Sequence, residues 1–157
     1  MKFEGLMQQF GAKFGIAEVA IEDDSAAFEI DGMAFGFICD PAAETLTVVA
    51  DLGQKSINVD GAFGSLMLKA NFLFEATKGA TLFQNPENES FGLQQRYRLA
   101  ELDLDALSAE VEKLANVAEE WKGLLAGSAT AEAALKERKA EDVSEVASLS
   151  GGAFMRV

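Results

Sequence analysis

The sequence predicts an α+β fold: a first helix, an antiparallel β-sheet of about five strands, a central helix and a C-terminal helix, followed by a tail. Three observations carry this. Apolar residues recur at helical spacing in three separate stretches, they alternate with period two in the stretches between, and turn residues punctuate the borders. At 157 residues the chain has the size of one compact domain. Its 49% apolar and 25% charged residues are globular rather than disordered composition.

The first helix is read from Phe3, Leu6, Met7, Phe10 and Phe14, which form one amphipathic stripe, with Gly15 as its stop. Val19 to Glu22, Ala26 to Asp31, Met33 to Cys39 and Thr45 to Asp51 then read as short strands. Asp31-Gly32 is a two-residue hairpin signal, and Asp40-Pro41 opens a longer turn. Met33, Phe35, Phe37 and Cys39 share one face of their strand, and a sheet face lined by Phe needs a helical layer or a partner to cover it.

From Gly61 to Thr77 the period returns to helical, and Phe63, Leu66, Met67, Leu68, Ala70, Phe72, Leu73 and Phe74 cover nearly the whole circumference. A helix apolar all round is buried on more than one side. Either a second copy of the chain supplies the other cover, or the sheet and another helix of the same chain enclose it; the pattern is compatible with both. Thr81 to Gln84 and Phe91 to Leu99 read as a hairpin, with Phe91, Leu93, Gln95, Tyr97 and Leu99 on one face of the second strand and Gly92, Gln94, Arg96 and Arg98 on the other. Asp103 is the expected N-cap of the last helix, whose buried stripe runs Leu104, Leu107, Val111, Leu114, Ala118, Trp121, Leu125. Residues 1–126 are read as the domain. Residues 127–157 are read as an Ala/Glu/Lys-rich tail with an apolar end at Ala153-Phe154-Met155-Arg156-Val157.

Function classes fall away one by one. The chain has no histidine, so Ser65 and Ser108 have no imidazole base, and His-ligated metal sites are excluded. Cys39 is the only cysteine and ends an apolar strand beside Asp40, the setting of a small buried hydrophobe rather than of a nucleophile. Gly32, Gly36, Gly61 and Gly64 lack phosphate-loop spacing. The adjacent acids Glu22-Asp23-Asp24 and Glu119-Glu120 do not converge on a point, and neither Asp23-Asp24 nor Asp31-Gly32 sets up a calcium loop. No enzyme activity, cofactor or metal is expected. The net charge of −13 argues against nucleic acid and anionic membranes. The start, Met1-Lys2-Phe3-Glu4-Gly5, is not a signal peptide and no apolar run approaches a membrane span, so a cytoplasmic location is expected, and Asn88-Glu89-Ser90 is a chance sequon. Charge is uneven: residues 1–60 carry a net −8, residues 61–100 a net +1 and residues 101–157 a net −6. The least charged segment is the one holding the apolar helix, as suits an interface core.

Leu68-Lys69-Ala70-Asn71-Phe72-Leu73, Gly79-Ala80-Thr81-Leu82, Leu93-Gln94-Gln95-Arg96, Leu102-Asp103 and Ala118-Glu119-Glu120-Trp121, in that order and spacing, resemble the class I type III secretion chaperones, the Tir-chaperone (CesT-like) family of bacteria. The likeness runs from Met1 to Ala126. It implies a non-enzymatic homodimer joined through the middle helix, here Phe63, Leu66, Met67, Ala70 and Phe74. It also implies that an extended N-terminal segment of a secreted effector lays apolar side chains beside the first helix and adds a strand to a sheet edge. Phe3, Met7, Phe10, Phe14, Phe35 and Phe37 are the residues assigned to that groove. An adaptor of the same fold that binds a transcriptional regulator instead of cargo is the alternative. The tail departs from the family pattern, and Phe154, Met155 and Val157 read as a short anchor able to dock on the chain's own groove or on a neighbour's.

Overall fold

The computed structural model describes residues 2–54 and 61–126. Helix α1 (Phe3–Lys13) is followed by strands β1 (Ser25–Ile30), β2 (Met33–Asp40) and β3 (Thr45–Gly53), then helix α2 (Gly61–Asn71) with a 3₁₀ turn at Phe72–Phe74. Strands β4 (Thr81–Gln84) and β5 (Phe91–Arg98) and helix α3 (Leu104–Leu125) complete the described residues. The five strands form one antiparallel sheet in the order β1-β2-β3-β5-β4.

The turns that set this order follow from local chemistry. Asp31 and Gly32 take φ of 51° and 76°, so both central residues of the β1–β2 hairpin are left-handed, the geometry that matches the twist of the flanking strands. Asp40 Oδ1 accepts from the backbone N–H of Ala42 and Ala43 at 3.1 and 3.0 Å and closes the β2–β3 turn. Asp103 Oδ1 accepts from the Ala106 N–H at 2.8 Å, confirming it as the N-cap of α3.

One face of the sheet is the core. Phe28 on β1, Phe35 and Phe37 on β2, Leu46 and Val48 on β3 and Leu93 on β5 meet Phe3, Leu6, Met7 and Phe10 from α1 and Leu107, Leu114, Ala118 and Trp121 from α3. Phe10 sits in a ring cluster, with centroids 5.4 Å from Phe28 and 5.3 Å from Phe37. The Phe83 ring lies over Gly92, where an added Cβ would overlap that ring and stand 2.9 Å from the Ala50 carbonyl oxygen.

Two expected elements differ. Val19 to Glu22 is not a strand of the sheet: only Glu22 makes an isolated bridge, to Ser25. The segment is held instead by the Gln8 amide, which donates to the Val19 carbonyl at 3.1 Å and accepts from the Val19 N–H at 3.0 Å, a side chain standing in for a neighbouring strand. The central helix stops at Asn71 rather than Thr77, because Leu73 and Phe74 take φ of 56° and 57° and turn the chain out of the helix.

Candidate interaction surfaces

A helix apolar on all sides resolves into two faces. Phe63, Met67 and Ala70 face inward, with Phe63 5.2 Å from the Phe91 ring and 6.5 Å from the Trp121 ring. Leu66 is half-buried. On the outer side of the helix Leu68 is 74% exposed, and in the turn that follows it Phe72 is 69%, Leu73 57% and Phe74 46% exposed. Of the five residues expected at a dimer interface, Phe63, Met67 and Ala70 therefore belong to the core of their own chain. Phe74 is exposed, as are its apolar neighbours Leu68, Phe72 and Leu73, which were not among the residues expected at the contact. Large exposed apolar groups gathered on one short stretch mark an interaction surface. Two consecutive bulky residues at positive φ add backbone strain to the same place.

The residues expected to line a peptide groove are mostly buried within the chain. Phe3, Met7, Phe10, Phe35 and Phe37 are at most 4% exposed, because α1 lies with its apolar stripe on the Phe-lined sheet face and the two bury each other. Of those six residues only Phe14, at the C-cap of α1, reaches the surface, at 46% exposure and 5.1 Å from the Phe10 ring. Phe14 lines a groove of about 570 Å³ between the end of α1, the β1–β2 hairpin and α3. Ile30, Met33, Ala109 and Ala115 contribute apolar lining, while Asp31, Asp105, Glu112 and Glu119 supply four carboxylates against the single cation Lys13. The three acids on α3 are seven residues apart, so they stand in one row along the helix.

The two sheet edges are unlike. Ile30 and Met33 flank the two-residue turn and pair through hydrogen bonds, so by alternation Ala27 and Glu29, both exposed, turn their backbone N–H and C=O outward from β1. On β4, Leu82 donates its N–H to Asn71 Oδ1 at 2.8 Å and accepts from Asn71 Nδ2 at 3.2 Å, which seals that edge at its middle.

Cys39 is buried, and burial, then the charges of Asp24 and Asp40, push its thiol pKa up, away from thiolate chemistry. Among the described residues no group of acids or Cys could hold a metal ion, and no helix is long and apolar enough to cross a membrane. Phe154, Met155 and Val157 lie outside the described residues.

A model of the Tir chaperone protein (CesT) family matches residues 5–122. No curated protein sequence matches significantly. Among solved structures, the fold is similar to one in the ExsC–ExsE complex, with a TM-score of 0.69 and 18% identity over 80% of this chain and 95% of that one. It is also similar to one in the HopA1–SchA chaperone–effector complex, with a TM-score of 0.61 and 18% identity over 76% and 92%. A third is the Yersinia pestis type III secretion chaperone SycH with a stable fragment of YscM2, with a TM-score of 0.57 and 13% identity over 74% and 97%. The three helices and five-stranded antiparallel sheet are thus the α+β fold of type III secretion chaperones.

Proposed function

This chain belongs to the Tir chaperone protein (CesT) family, and from that premise we propose that it is a homodimeric chaperone of the bacterial cytoplasm. It binds the extended N-terminal segment of a type III secretion effector and keeps that segment soluble and ready for export. The observation that carries the reading is the run of exposed apolar residues Leu68, Phe72, Leu73 and Phe74, together with exposed Phe14 beside the open end of the β1–β2 hairpin. Leu68, Phe72, Leu73 and Phe74 are the residues of the dimer contact, with Leu66 at its margin and Phe63, Met67 and Ala70 supporting it from beneath. The effector segment uses the surface around Phe14 and the open edge at Ala27 and Glu29; Phe3, Met7, Phe10, Phe35 and Phe37 form the floor on which that surface rests.

The energetics suit reversible capture. Four or five apolar anchors at about 1.5 to 3 kcal/mol each give roughly 6 to 15 kcal/mol gross. Ordering an unfolded segment removes about 2 to 5 kcal/mol of that.

The test has two parts: light scattering of the purified chain at micromolar concentration, and mass spectrometry of what co-purifies with it from its native cytoplasm. A dimer and a retained exported protein, released when its N-terminal segment is deleted, support the reading. A monomer removes the dimer, and retention of a transcriptional regulator alone points to an adaptor.

A further inference from the structure

Of the surfaces described, the groove between α1 and α3 has a chemistry that the sequence itself can answer. Its lining combines an exposed aromatic ring, Phe14, with small apolar side chains of α3, and its rim is acidic by four carboxylates to one cation. Neither the Arg98–Glu101 nor the Lys113–Glu110 ion pair involves a rim acid. An occupant that fits carries one or two large flexible apolar side chains next to a cation.

Residues 153–157, Ala-Phe-Met-Arg-Val, have that pattern, with Phe154 and Met155 beside Arg156. We propose that this segment docks in the α1–α3 groove, Phe154 and Met155 against Phe14 and the α3 floor, and Arg156 against the row Asp105, Glu112, Glu119. Reach poses no obstacle. The middle of the groove, at Glu112, lies about 20 Å back along α3 from Leu125, at 1.5 Å per helical residue. The 26 residues from 127 to 152 span more than 80 Å when extended, and about 25 to 30 Å even as a random coil. Tethering also lifts the local concentration of the segment into the millimolar range, so weak contacts suffice.

The docking needs no other protein and is read on the full chain alone. Amide spectra of the ¹⁵N-labelled full chain are compared with those of the double variant Phe154→Ser/Met155→Ser. Shifts clustered at Lys13, Phe14, Ile30, Ala109, Glu112 and Asn116 are the expected result. A synthetic peptide of residues 150–157, titrated into the double variant, moves the same amides, and the Arg156→Glu peptide binds at least 5-fold more weakly at low salt. Unchanged spectra over residues 2–126, or shifts clustered at Leu68 to Phe74 instead, overturn the proposal. Since no effector enters the experiment, failure here leaves the chaperone reading standing, and loss of that reading leaves the docking intact.

Discussion

Replacing Phe72 with serine separates the proposed dimer from the folded protomer. Phe72 lies on the 3₁₀ turn after α2 with 69% of its surface in solvent, so the protomer gains little from it, and surface changes of this kind stay within about 0.5 kcal/mol of folding stability. In a two-fold dimer the side chain counts twice. Full burial of a Phe is worth about 1.5 to 3 kcal/mol; scaling by the exposed fraction and doubling gives about 2 to 4 kcal/mol of lost association energy. That is a 30- to 1000-fold weaker dimer at 1.4 kcal/mol per decade. Sedimentation equilibrium over a dilution series reads the constant directly, and urea unfolding at fixed concentration checks the fold. A dissociation constant within threefold of the parent, with Phe72→Ser still folded, refutes the assignment of this patch to the dimer.

Gly92→Ala brings a Cβ into the Phe83 ring and to 2.9 Å from the Ala50 carbonyl oxygen, and costs about 1 to 3 kcal/mol by urea denaturation. Adding Phe83→Leu restores part of it, since the ring can yield where the backbone cannot; unchanged stability of the single variant contradicts the packing. Asp103→Ala removes the cap bond to Ala106 and lowers stability by about 1 kcal/mol, whereas Asp103→Asn keeps most of it; equal losses in the two variants count against the cap. The lone tyrosine, Tyr97, donates to Glu110 Oε2 at 3.0 Å, and burial, then the Glu110 charge and that hydrogen bond, push its pKa up. Its proton is held more tightly in the folded chain than in the unfolded one. Stability from this group is therefore complete below pH about 10 and falls as pH rises above it, by at most about 1.4 kcal/mol per pH unit. Tyr97→Phe lacks that loss, so urea melts at pH 8 and pH 11 should show the parent falling further than the variant; parallel declines argue against it.

Local signals in this sequence proved legible where one short stretch decides the outcome. Asp31-Gly32 specifies a turn with two positive φ values, Asp103 names a helix start, and the stripe from Leu107 to Leu125 needs only the 3.6 period. What escaped depends on cover supplied from elsewhere in the chain. The spacing of Phe3, Met7 and Phe10 marks an apolar face, yet whether that face meets a sheet or a peptide is decided by Phe35 and Phe37, some 30 residues on. The same holds for Phe63, whose packing against Phe91 and Trp121 no periodicity displays, and for the burial of Met67 in the core. Val19 to Glu22 has strand composition but lies along α1, held there by the Gln8 side chain, whose role no local pattern announces. Leu73 and Phe74 continue an apolar pattern while their backbone leaves the helix, so the pattern overran the geometry from Asn71 to Thr77.

The Asn71 amide on Leu82 has a consequence for how these molecules can meet. A sheet with two open edges can join head to tail without limit, the growth mode of fibres. With β4 occupied at Leu82 by a side chain of its own molecule, this sheet has one receptive side only. Whatever strand arrives at Ala27 and Glu29 ends the series, and two such molecules that meet edge to edge make a closed pair. An exposed strand edge on one side alone thereby keeps the sheet from becoming a template for its own polymerisation.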